Sequence, residues 1–183
     1  MFSIKGSVTN VERYVFVDEN AVFQVDFRDA VWAEGNLKHI YDSAKLALSD
    51  VDFIAELKDH IVFVEYKNAN IPNAVNPGAF NPASEESLNS VAKKYFDSLH
   101  YLKIKGKGKK VRYVYIVEAP IVSSSERLRL RNKLQAKLPF LLQKDMEHEL
   151  INDLLVLSIE EWNSNNDYAR FPLTPCKQEL SPE

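Results

Sequence analysis

The run Asp50-Val51-Asp52-Phe53-Ile54-Ala55-Glu56-Leu57-Lys58-Asp59-His60-Ile61-Val62-Phe63-Val64-Glu65-Tyr66-Lys67 sets two apolar segments on either side of Lys58-Asp59. The β-branched and aromatic residues over Val51 to Leu57 and Ile61 to Lys67 predict two short strands. With Lys58-Asp59 as a two-residue hairpin loop, Leu57 pairs with His60, Phe53 lies opposite Val64, and Asp52 lies opposite Glu65. Side chains alternate along a strand, so Val51, Phe53, Ala55 and Leu57 share an apolar face with Val62, Val64 and Tyr66. The other face is apolar at Ile54 and Phe63 and carries Asp52, Glu65 and Lys67 together at one end.

Carboxylates directly opposed across a sheet repel one another, and a divalent cation reverses that sign. Mg²⁺ or Mn²⁺ takes carboxylate oxygens together with water and substrate phosphate, so such a pair suits phosphodiester chemistry. Lys67, on the same face, is placed to hold or activate the attacking water and to offset charge on a pentacovalent phosphate. The plainer alternative for the same residues is an ion-pair cluster at an exposed sheet end, because an isolated ExK is common.

Outside this hairpin, Val11 to Val17 and Ala21 to Arg28 flank the turn Asp18-Glu19-Asn20 and predict an N-terminal β-hairpin. Asn36 can cap a helix reaching about Leu48, with Leu37, Ile40, Tyr41 and Ala44 at helical spacing. Asn68 to Ser84 holds five Asn and three Pro and reads as a long surface loop. A helix is expected from Glu85 to about Leu102 and a strand from Val111 to Ala119. Another helix follows, capped within Ser123 to Ser125 and interrupted near Pro139, and then a strand over Asp153 to Ile159. The expected fold is α/β, a mixed β-sheet flanked by helices. Residues 1–35 form a hairpin extension packed on the core, 36–162 the core itself, and 163–183 a loosely attached tail, all within one domain.

The chain has 183 residues, 45% of them hydrophobic and 11% aromatic, enough to fill a core. A single cysteine, Cys176, excludes an internal disulfide and Cys-based zinc modules and points to a reducing, cytoplasmic compartment. No signal-like or membrane-length apolar run occurs, so no membrane partner is expected. With five glycines and no GxGxxG, P-loop or GxSxG, the chain shows no dinucleotide, NTPase or α/β-hydrolase signature. The net charge of −3 hides a division: Lys103 to Lys137 carries 11 basic residues against Glu118 and Glu126, which leaves the remainder with 12 basic and 24 acidic. A cationic segment in an acidic protein suits an oriented surface facing phosphate, and suits a solvated loop and helix face equally.

Asp50-Val51-Asp52-Phe53-Ile54 followed by Phe63-Val64-Glu65-Tyr66-Lys67 resembles the PD-(D/E)XK nuclease superfamily, in which an Asp begins one strand and a (D/E)xK ends the next. The resemblance covers about Asn36 to Ile116 and implies a restriction-endonuclease-like core. It implies Asp52 and Glu65 as metal ligands, the backbone carbonyl of Tyr66 as a further ligand, Lys67 as the catalytic lysine, and Mg²⁺ or Mn²⁺ as cofactor. Asp50 is an alternative for the first Asp. Relatives often carry an acid on the first helix, for which Glu34 and Asp42 are the nearest residues. The activity implied is hydrolysis of phosphodiester bonds in nucleic acid, DNA ahead of RNA. Its rival is a catalytically inactive nuclease fold that binds nucleic acid or protein. Lys94, Lys105, Lys107, Lys109, Lys110 and Arg127 are the candidate nucleic-acid contacts. Tyr95, Trp32 and Trp162 read as core residues, and the spacing of the four histidines gives no metal motif. The oligomeric state, a homo-oligomer included, stays open.

Overall fold

The computed structural model describes residues 14–35, 37–71, 77–120 and 122–176. Asn36 as a helix cap, Pro72 in the Asn/Pro loop, the start of the first expected strand and the end of the expected tail lie outside them. The strands are β1 (Val15–Val17), β2 (Phe23–Asp26), β3 (Trp32–Gly35), β4 (Phe53–Glu56), β5 (Ile61–Asn68), β6 (Val111–Glu118), β7 (Asp153–Leu157) and β8 (Leu173–Pro175). The helices are α1 (Leu37–Ser43), α2 (Glu85–Ile104), α3 (Ser124–Gln135) and α4 (Ile159–Ser164).

A mixed five-stranded sheet runs in the order β3-β4-β5-β6-β7. Its first three strands are antiparallel and its last three parallel. The β4–β5 register is the expected one, with Phe53 opposite Val64 and Glu56 opposite Ile61. Leu57 N–H donates to the His60 carbonyl at 2.8 Å, closing the Lys58-Asp59 turn. Parallel neighbours need a crossover, and α2 and α3 provide those from β5 to β6 and from β6 to β7. Both helices begin at serines, Ser84 and Ser123, whose hydroxyls accept from Ser87 N–H and Glu126 N–H.

Each face of the sheet is covered. Ile54, Phe63, Tyr113, Tyr115 and Leu154 meet Leu88, Tyr95 and Leu102 of α2 and Leu130 and Leu134 of α3. On the opposite face Phe53, Val62, Val64, Val114 and Ile116 meet Val25, Phe27, Trp162, Tyr168 and Phe171. Tyr95 and Trp162 are core residues as expected, whereas Trp32 is only half-buried, beneath the ammonium of Lys107.

Three expectations change. Trp32 to Gly35, assigned to the extension, form the edge strand β3; the segment is short and ends in glycine, so it carries little strand signal of its own. Gly35 is required by close approach, since a Cβ there would lie 2.7 Å from the Phe16 ring. Phe16 also stacks on Phe53, which docks the β1–β2 hairpin onto the main sheet. Helix α1 stops at Ser43 instead of about Leu48, because Lys45 turns left-handed (φ 55°) and Leu46 N–H bonds back to the Tyr41 carbonyl at 2.9 Å. Finally, much of 163–183 is no loose tail. Tyr168 and Phe171 are buried, and β8 pairs with β2 to complete a second sheet, β1-β2-β8. No helix among the described residues is long and apolar enough to cross a membrane.

At the β4–β5 turn, buried Glu56 pairs with Lys107 at 2.5 Å and Lys109 at 3.0 Å. The hydrogen bond from Lys107, aided by Lys109 and opposed by burial, lowers the Glu56 pKa. A depressed carboxylate stabilises the fold above its ordinary pKa and loses that contribution as pH falls through the folded value. Glu56→Gln is therefore expected to cost about 1–2 kcal/mol at pH 7, and less at pH 4, where the contribution is being lost. Urea unfolding at the two pH values checks this.

Candidate active site

The site arises where the β4–β5 ladder opens. Hydrogen-bonded pairs alternate along an antiparallel ladder, so after Leu57/His60 and Phe53/Val64 the next exchange of bonds would join Val51 to Tyr66. Tyr66 N–H instead donates to Asp52 Oδ2 at 2.7 Å, and Val51 N–H donates to Ser98 Oγ of α2 at 3.0 Å. The Tyr66 carbonyl lies on the same side of its strand as its N–H and so faces the opened end.

Glu65 is 1% exposed, directly behind this opening. Lys94, from the middle of α2, places its ammonium 2.7 and 2.9 Å from the two Glu65 oxygens and 3.6 Å from Asp52 Oδ1. The two carboxylates thus converge on one cation, and that cation is Lys94. Lys67 Nζ lies on the same side, 3.8 Å from Glu65 Oε1 and 3.1 Å from Glu19 Oε1. Burial, with the charge of Asp52 added, pushes the Glu65 pKa up to about 8 against the pull of Lys94 and Lys67. For both lysines burial alone lowers the pKa, and Glu65 and Asp52 outweigh it, so each is raised.

A cleft of about 460 Å³ opens onto this group, lined by Asp50, Asp52, Lys94, Lys38 and the turn residues Asp18 and Glu19. The turn is firmly built. The Asp18 carboxylate accepts from the N–H groups of Asn20, Val22 and Phe23 at 3.0, 2.8 and 2.6 Å, which fixes where Glu19 projects.

Asp50 lines the same cleft within electrostatic reach of Asp52 and Lys94, and one of its oxygens accepts from Lys38 N–H at 2.8 Å at the start of α1. Other candidates fall elsewhere. Glu34, on β3 opposite Ile54, is coupled to Tyr101 near the end of α2. Asp42 is exposed and pairs with Lys38. Arg127 is committed to Glu161 through two bonds of 2.9 and 2.8 Å, so it is a tie between α3 and α4. The lysine-rich connection sits at the far end of the sheet, where Val111 pairs with Ile61, about 13 Å along the strand from Glu65. There Lys107 and Lys109 hold Glu56, Lys110 pairs with Glu149, and Lys105 lies over the Tyr101 ring. None of these four lysines joins the candidate site.

Two contributors escape a reading of the hairpin alone. Ser98 follows Lys94 by one helical turn, so the two share the face of α2 that meets the opened ladder. Glu19 belongs to a turn that only the tertiary fold brings to Lys67.

Among the described residues no three His, Cys, Asp or Glu side chains converge as a metal cage. The donors at this end are the Asp52 and Glu65 carboxylates and the Tyr66 carbonyl, all hard oxygens, a set that fits Mg²⁺ or Mn²⁺ completed by water or phosphate. No protein-family model, curated protein or solved structure matches this chain.

A carboxyl whose folded pKa is raised contributes stability below its ordinary value and loses it as pH rises through the folded one, here about 8. Metal-free wild-type protein is expected to lose melting temperature between pH 6 and pH 9, and Glu65→Gln to flatten that slope. Parallel slopes in thermal melts would contradict the burial argument.

Proposed function

We propose that the protein is a metal-dependent nuclease of the PD-(D/E)XK type, with DNA as the favoured substrate. The observation that carries this reading is the convergence of Asp52 and buried Glu65 at the opened end of the β4–β5 hairpin, with Lys67 on the same face. The order α1, β4, β5, α2, β6 also follows the order of elements that the family resemblance implies.

Asp52, Glu65 and the Tyr66 carbonyl would hold the ion. Such an ion would supply Lewis-acid polarisation of the phosphate and activation of a water. Lys67 holds the attacking water and offsets charge on the phosphoryl oxygens. Ser98 and the Tyr66 N–H hold the opened ladder in shape, so the carboxylates stay oriented without help from substrate.

A second reading has one specific observation in its favour. Lys94 already neutralises both Glu65 oxygens, as it would in a nuclease fold that binds nucleic acid without cutting it.

Wild-type protein is expected to cleave DNA in Mg²⁺, and Lys67→Ala to lose about 10²–10⁴-fold in rate while keeping its Mn²⁺ affinity. Asp52→Ala is expected to lose both cleavage and most Mn²⁺ binding by calorimetry. DNA binding without cleavage by the wild type would favour the second reading. Undiminished cleavage by Asp52→Ala would remove the site.

A further inference from the structure

Lys94 stands where two acids converge. Its ammonium is within 2.9 Å of both Glu65 oxygens and 3.6 Å from Asp52 Oδ1, so it bridges the pair that the proposed function gives to a metal. Lys67 flanks the group 3.8 Å from Glu65 Oε1, and of the two lysines it is Lys94 that sits between the acids. Ammonium and dication cannot share this space, because like charges a few ångströms apart in a poorly solvated pocket repel strongly.

We propose that Lys94 is a resident counter-cation which the metal displaces, and that the freed ammonium swings into the cleft to receive a substrate phosphate. This rests on the metal-binding reading above and adds a role for Lys94 that the carboxylates and Lys67 do not supply. The exit is open: the Lys94 side chain is 19% exposed and lines the cleft beside Lys38, and four rotatable bonds let the ammonium turn outward while its backbone stays in α2. Without an ion, Lys94 keeps both oxygens of buried Glu65 hydrogen-bonded. With the ion in place, the same ammonium becomes available to an incoming polyanion. Substrate affinity is thereby tied to metal loading.

Two measurements test the exchange without reading cleavage. In calorimetry with Mn²⁺, Lys94→Gln is expected to bind the ion at least tenfold more tightly than wild type, because no ammonium has to leave. Should that variant fail to fold, the wild-type protein decides alone by acetylation and mass spectrometry. Lys94 is expected to react slowly without metal and at least tenfold faster in saturating Mn²⁺. Lys93, one residue away and paired with Asp97 on the exposed side of α2, serves as the unchanged control. Equal or weaker Mn²⁺ binding by folded Lys94→Gln, or Lys94 reactivity indifferent to Mn²⁺ that wild type does bind, overturns the exchange and leaves the metal site standing. Mn²⁺ binding by neither wild type nor variant removes the exchange and the metal site together.

Discussion

A carboxyl group as deeply buried as Glu65 needs hydrogen-bonding partners, and this requirement organises the region around it. Lys94 answers it from α2, which fixes the rotation of that helix over the sheet. The same rotation brings Ser98 to the Val51 N–H, so the strand leaving β4 is held off the ladder. Asp52 can then fold back onto the Tyr66 N–H. The opened hairpin end, the helix position and the ion pair are thus one arrangement.

Placing two acids and two lysines at a sheet end is costly unless they do something together. An apolar group at position 65 would pack against Phe63, Tyr113 and Tyr115 without any demand on Lys94. Keeping the charge there is the kind of local cost that folds carry at functional sites. The nuclease reading gives that cost a purpose, since oriented oxygens at an open edge are what a hard cation requires.

Legibility in the sequence followed the range of the interaction. A two-residue turn sets the β4–β5 register locally, so the opposition of Asp52 and Glu65 could be read from the order of residues alone. Helix α2 was legible for the same reason, through its apolar stripe. By contrast, β3 is a short edge strand ending in a glycine that Phe16 demands, and β8 is a strand only because β2 lies beside it. Neither carries a local signal that propensity can detect. Charge counting was least informative. The lysines of the β6 approach formed the densest positive run in the chain, yet Glu56 and Glu149 engage three of them far from the carboxylates. Beyond the hairpin's own Lys67, the lysine that reaches the site is Lys94, which lies outside that run beside Lys93 in α2.

The pairing of β2 with β8 also bears on how the chain is made. The hairpin leaves the ribosome early, while β8 and the aromatic residues before it emerge after everything else described. Until they arrive, the sheet face built from Phe27, Phe53, Val62 and Val64 lacks Trp162, Tyr168 and Phe171, and β2 presents an unpaired edge. Non-local pairing of this kind closes slowly, and waiting surfaces of this kind attract copies of themselves. Synthesis halted a few residues before Leu173 would yield a chain that carries all of Asp52, Glu65, Lys67 and Lys94 yet lacks the strand that pairs with β2, and that open edge invites self-association.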